Sequence, residues 1–221
     1  MPSKPNILIL GPSGSGKSNS LANLPKDCTA LIDIERKGFP FLGVNEFAQH
    51  HEPETVIEAN DAITKAYNDP KVKLIVVDSL FKYSELASFH AKDVLKKTGY
   101  EVFNWHNAQI DQLFQKLKAT KKCFIIIDID EIVMIDKEDG TRLPRQRAAI
   151  QYKWWEGKIE KEFLITLTTK VTMNAGKPTF LFNHRADGIG PAKCPPYISL
   201  PDSCPNDVNL IIKELQRHNL L

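Results

Sequence analysis

The stretch Gly11-Pro12-Ser13-Gly14-Ser15-Gly16-Lys17-Ser18, directly after the apolar run Ile7-Leu8-Ile9-Leu10, constrains this chain more than any other feature. It fits G-x-x-x-x-G-K-[ST] without a mismatch. A loop of that kind needs a buried strand to deliver it and a helix N-terminus to receive an anion. Ile7 to Leu10 reads as the strand, and Ser18 to Leu24 as the helix, stopped by Pro25. The glycines leave backbone N–H groups free to converge on phosphate oxygens. Lys17 is placed to neutralise β/γ oxygens, and the Ser18 hydroxyl to ligate Mg²⁺. The ligand expected here is ATP with Mg²⁺. A chance Gly/Ser turn would match the string without the flanking strand and helix.

The 221 residues suit one α/β domain with a substantial core. A net charge of +2 demands no anionic partner, so any basic face must be local. No apolar run approaches a membrane span, and Met1-Pro2-Ser3-Lys4-Pro5 lacks a signal-peptide core. Cys28, Cys123, Cys194 and Cys204 show no C-x-x-C spacing and read as reduced thiols without structural zinc, which fits a cytoplasmic protein. The histidines, including adjacent His50 and His51, form no metal-spaced cluster.

Further apolar runs alternate with helical patterns. Thr29 to Glu35 reads as a second strand, Glu54 to Asn68 as a helix after Pro53, and Val72 to Ser79 as a third strand. Two helices are expected over about Leu80 to Lys97 and Phe103 to Thr120, broken at Gly99-Tyr100. A fourth strand runs from Cys123 to Ile127 and on through Asp128 and Asp130 towards Met134. Glu162 to Val171 alternates apolar and Thr positions and pairs with Lys177 to His184 across Asn174-Ala175-Gly176 as a β-hairpin. After a proline-rich stretch, Val208 to His218 closes the chain as an amphipathic helix. This order predicts an α/β fold: a mainly parallel sheet flanked by helices, a P-loop NTPase core with a C-terminal β-hairpin, forming a single domain over 1–221. Ligands of such sheets bind beyond the carboxyl ends of the strands, so the acids closing strands two to four should gather around the phosphate loop.

Asp78 ends the apolar run Leu74 to Val77 and is the candidate Mg²⁺ carboxylate; the plainer reading is a helix-capping Asp. Hydrolysis of a γ-phosphate needs a group to orient water, and Glu35 ends the second strand where it can do so. Asp33, two residues earlier, is expected on the same strand face.

Ala30-Leu31-Ile32-Asp33-Ile34-Glu35, a helix, then Leu74-Ile75-Val76-Val77-Asp78-Ser79 resembles the nucleotide core of RecA/RadA-type recombinases. By that resemblance Glu35 activates the attacking water and Asp78 serves Mg²⁺. Asp130-Glu131-Ile132-Val133, Trp155 to Phe163, Ala192-Lys193-Cys194-Pro195 and Pro205-Asn206-Asp207-Val208 resemble phage-encoded RecA-like ATPases of the single-strand-annealing type. The resemblance implies a RecA-like ATPase that binds single-stranded DNA and promotes annealing during phage recombination in the host cytoplasm. It implies a homo-oligomeric ring or filament, and a single-strand-binding protein as a further partner. Glu131 takes the place of the family's γ-phosphate-sensing Gln, and Lys193 that of a lysine reaching a neighbouring subunit.

The basic segment of about 137–158 follows the fourth strand, where that family carries DNA-binding loops. Arg142, Arg145 and Arg147 suit phosphates, and Trp154 and Trp155 suit base stacking. A solvated Arg face and a core Trp pair are the plainer readings. Two other functions share the phosphate loop: a small-molecule kinase with Leu143-Pro144-Arg145-Gln146-Arg147 as its lid, and a non-catalytic ATP-switched loading factor. A GTPase would need an N-K-x-D motif, which the chain lacks.

Overall fold

The computed structural model describes residues 5–136 and 140–221. Its strands are β1 (Ile7–Leu10), β2 (Thr29–Asp33), β3 (Gln49–His51), β4 (Leu74–Asp78), β5 (Cys123–Asp128), β6 (Asp130–Asp136), β7 (Arg142–Ala148), β8 (Ile165–Asn174), β9 (Lys177–Asn183) and β10 (Cys204–Pro205). Its α-helices are α1 (Val56–Asn68), α2 (Leu80–Phe89), α3 (Tyr100–Ala119) and α4 (Val208–Arg217). Eight strands form one sheet in the order β10-β9-β8-β1-β5-β4-β2-β3, while β6 and β7 form a separate antiparallel ribbon. From β8 to β3 every neighbouring pair is parallel. β9 and β10 add an antiparallel edge.

Strands β1, β2, β4 and β5 are buried along their whole length, as apolar runs covered on both faces must be. Alternate side chains feed two cores. Leu8, Leu10, Ile75, Val77, Phe124 and Ile126 pack under α1, α2 and α3. Ile7, Ile9, Leu31, Val76, Ile125 and Ile127 pack on the other face with α4. Thr55 and Ser79 cap α1 and α2, their hydroxyls accepting from the Glu58 and Lys82 amides.

Several expected boundaries move. The segment after the phosphate loop is a short 3₁₀ helix, Ser18–Leu21, not a helix to Leu24. Ser-Asn-Ser is a poor helix former, and Ser20 Oγ turns back to the Lys17 carbonyl. β2 ends at Asp33, so Glu35 sits on the following loop and does not share a strand face with Asp33. The fourth apolar run does not continue to Met134: it breaks at Ile129, and Asp130 onward leaves the sheet as the ribbon. Much of the basic segment is therefore strand β7 rather than loop; its residues 137–139 lie outside those described, as does Met1 to Lys4. α2 continues as a π-helical turn over His90–Val94. The β8–β9 turn puts Ala175 and Gly176 at φ of 48° and 77°, the paired positive values of a two-residue hairpin turn. No described helix is long and apolar enough to cross a membrane.

Candidate active site

β1 lies between β5 and β8, and the carboxyl ends of β1, β2, β4 and β5 open into a cleft of about 790 Å³. Ser13, Gly14, Gly16, Lys17, Ser18, Asp33, Glu35, Lys37, Asp78, Ser79 and Phe180 line it. That volume suits a nucleotide-sized ligand. The phosphate loop leaves β1 under tight constraint. A Cβ on Gly11 would meet Thr169 Oγ1 at 1.7 Å, so β8 packs against that position and a side chain has no room. Gly16 has φ of +90°, and a Cβ there would meet Asn206 Nδ2 at 2.6 Å and Phe180 at 2.9 Å. Thr169 Oγ1 donates to Ser15 Oγ at 2.7 Å, and Asn206 Nδ2 donates to the Gly16 carbonyl at 2.7 Å. The C-terminal hairpin and the residues before α4 thus hold the loop from outside.

Inside the loop, Lys17 Nζ donates to the carbonyls of Gly11 at 2.6 Å and Pro12 at 2.9 Å. Burial lowers its pKa, against the pull of Asp78, Asp130, Glu35 and Asp128. Ser18 Oγ donates to Asp78 Oδ2 at 2.7 Å. Burial raises the Asp78 pKa to about 6, against the Ser18 hydrogen bond. A hydroxyl and a buried carboxylate in contact beside a glycine-built loop are hard oxygen donors of the kind Mg²⁺ selects, so the residues present fit Mg-nucleotide.

Glu35 joins this group through the chain that follows β2. The amides of Ile34 and Glu35 both donate to the Asp78 carbonyl, at 2.7 and 3.3 Å. Ser79 Oγ donates to Glu35 Oε1 at 3.0 Å, and Lys37 pairs with Glu35 Oε2. Burial pushes the Glu35 carboxyl up, but the hydrogen bonds from Lys37 and Ser79 outweigh it and hold it below the usual range. Glu35 is therefore ionised at neutral pH, with a quarter of its side chain exposed to the cleft.

The two proposed sensor residues lie elsewhere. Glu131 is on the ribbon, accepting from Arg147 Nε at 2.7 Å, and does not line the cleft. Asp128 stands at the end of β5, opposite Leu10 in register. It is fully buried; Oδ1 accepts from the Phe81 amide at 2.8 Å, and Oδ2 makes no hydrogen bond. Burial raises its pKa well above the carboxylate range, against hydrogen bonds from the Phe81 and Ile129 amides. An acid ending an apolar run is the same signal that marked Asp78, and it would have selected Asp128 over Glu131. Lys193 is exposed and its backbone pairs with Thr166, whose register partner is Leu8, upstream of the phosphate loop. Within one chain it stays out of the cleft.

Of the basic residues, Arg142 pairs with Asp136 and Arg147 with Glu131 and Glu156, while Arg145 is exposed on β7. Leu143 to Arg147 is a ribbon strand and not a lid over the cleft. Trp155 is 7% exposed and packs 4.9 Å from the Phe114 ring, so it is core and offers no face to a base. Trp154 is 53% exposed, with Lys158 Nζ 3.8 Å from its ring centre. Sequence reasoning passed over Lys37 and Phe180, which line the cleft, and Asn206, which braces the phosphate loop from outside; the last two are brought there only by the tertiary fold. It also missed a cluster of Asp33, His50 and Glu52, whose ligand atoms lie within 4.8 Å of one another. Parallel pairing of β2 with β3 makes that cluster, which spacing along the chain does not reveal. All four cysteines are free, and burial pushes Cys194 and Cys204 up to about 11.

A parallel sheet with a glycine-built phosphate loop leaving a central strand, and with the Asp78 strand one place removed from it, defines an α/β P-loop NTPase core. The family model described as AAA domain (AAA_24) matches residues 3–185, and the chain belongs to that family of P-loop ATPase-like proteins. No curated protein matches the chain.

Proposed function

We propose that this chain hydrolyses ATP in the β1–β2–β4 cleft and uses the ATP state to control contact with single-stranded DNA, promoting annealing in phage recombination. The carrying observation is the position of Glu35, fixed by its own amide to Asp78 and by its carboxylate to Ser79 and Lys37. Lys17 would serve the β/γ oxygens, and Ser18 with Asp78 would hold Mg²⁺. Bound Mg²⁺ supplies charge neutralisation for the developing phosphate charge. Glu35 orients the attacking water; as a carboxylate held below its usual range it is a weak proton acceptor, so orientation is its main contribution.

The DNA half of the reading rests on the ribbon and its base. Arg145 is exposed, and Trp154 presents a ring already carrying a lysine on one side. A cation and an aromatic face together suit a phosphate backbone and its bases without regard to sequence. The same reading takes the chain to be a single domain that works in the cytoplasm as a homo-oligomer, with a single-strand-binding protein as a further partner. Phosphate release measured with and without single-stranded DNA at low salt, beside annealing of labelled complementary strands, tests it. Stimulated turnover and ATP-dependent annealing are expected. Turnover indifferent to DNA, with no annealing, would sink the DNA half and leave the ATPase half standing.

A further inference from the structure

β3 lies along β2 in parallel, with Leu31 opposite His50 and Ile32 opposite His51. Asp33 ends β2 and Glu52 directly follows β3, and with His50 on β3 their ligand atoms converge within 4.8 Å of one another. His50 Nε2 is sealed from solvent and makes no hydrogen bond. It stands 3.6 Å from Glu52 Oε1. That is too long for a nitrogen–oxygen hydrogen bond. It is close to the ligand–ligand edge of about 3.4 Å in a tetrahedral zinc site with bonds of roughly 2.0–2.1 Å. The Phe39 ring, 6.0 Å from the imidazole, covers the neighbouring side.

Asp33 is 3% exposed and already oriented. Its Oδ1 accepts from the Arg36 amide at 2.8 Å and its Oδ2 from the Gly38 amide at 2.9 Å. Each oxygen keeps a further lone pair, and amide bonds behind a carboxylate are the usual support for a metal ligand. One imidazole nitrogen with two carboxylates is a donor set for zinc-like ions; magnesium and calcium prefer oxygen alone.

We propose that Asp33, His50 and Glu52 bind a divalent transition-metal ion, Zn²⁺ by donor chemistry, at the edge of the sheet. The ion braces the loop after β2, because Asp33 holds the amides of Arg36 and Gly38, and Glu35 and Lys37 ride on that loop. Asp33 also lines the cleft, while His50 and Glu52 do not, so those two ligands test the metal apart from the nucleotide.

The test uses the full chain stripped by a chelator. Zn²⁺ is titrated in competition with a chromophoric chelator, and Co²⁺ is added separately to read the donor set from its absorption. About one Zn²⁺ per chain is expected, with a raised melting temperature and a Co²⁺ spectrum of nitrogen and oxygen ligands. His50→Ala and Glu52→Gln should each weaken binding at least tenfold, while Cys194→Ser leaves it unchanged. Glu52 is half exposed, so Glu52→Gln remains informative if His50→Ala fails to fold. A wild type that takes up no Zn²⁺, binding untouched by both substitutions, or a Co²⁺ spectrum dominated by thiolate ligation overturns the proposal.

Discussion

The cleft and the ribbon both carry charged side chains but hold them in different ways. In the cleft, partners come from distant parts of the chain: Ser18 meets Asp78, and Ser79 meets Glu35, inside a largely buried setting. On the ribbon, Arg142 and Asp136 are cross-strand partners in solvent, with side chains 69% and 70% exposed. Buried, cross-linked polar groups are pre-organised and costly to disturb. Exposed pairs contribute little to stability and exchange partners readily. The proposed function assigns chemistry to the first region and adaptable contact to the second.

The sharpest way to break that contrast is at the adjacent tryptophans below the ribbon. Trp155→Ala should destabilise the fold by about 3–5 kcal/mol, while Trp154→Ala should cost less than about 1 kcal/mol. Chemical denaturation of both variants decides this, and equal effects would erase the distinction. Next comes Lys17→Ala, expected to weaken ATP binding by roughly a hundredfold through loss of a buried ammonium from the phosphate site. A fluorescent nucleotide titration measures it; unchanged affinity would remove Lys17 from the site.

A third test concerns pH. His106 is buried, with Nε2 2.7 Å from Ser84 Oγ and Nδ1 3.3 Å from Asn107 Oδ1. Burial lowers its pKa to about 4, against the Asn107 hydrogen bond. With the unfolded value near 6.5, the unfolded chain binds a proton that the native chain refuses. Its contribution is present above pH 6.5 and is lost as pH falls towards 4. Stability of wild type should drop over that window, and His106→Gln should remove about one proton from the slope. An identical slope in the variant would show that His106 is already protonated in the fold. The smallest effect belongs to the ribbon: Arg145→Ala should weaken single-stranded DNA binding a few-fold and lower the salt slope by about 0.7. Salt-titrated anisotropy would register it, and an unchanged slope would take Arg145 out of contact with phosphate.

Legibility in the sequence followed the same divide. Runs such as Leu74 to Val77 and Cys123 to Ile127 announced buried strands because a two-faced core leaves no polar alternative. Asp78, ending the first run, lines the cleft, whereas Asp128, ending the second, is fully buried. Glu35 was legible as a cleft residue, though it stands on a loop once β2 stops at Asp33. The ribbon was misread because Ile132, Val133, Met134 and Ile135 look like more of β5, whereas Ile132 and Met134 prove 67% and 56% exposed. Hydrophobicity alone cannot tell a sheet strand from an outlying ribbon. Trp154 and Trp155 are likewise indistinguishable as letters; the packing of Phe114 and Phe163 separates them. The loop's outer support by Thr169, Phe180 and Asn206 had no local signal, since it depends on elements far along the chain.

In the proposed function, Glu35 orients the water for hydrolysis without holding the nucleotide. Single-turnover ATP hydrolysis by Glu35→Gln, measured beside its nucleotide affinity, tests it most directly. The rate should fall by about 10²–10³ while the dissociation constant stays within about threefold of wild type. Hydrolysis at the wild-type rate would rule Glu35 out and move the role to another group in the cleft.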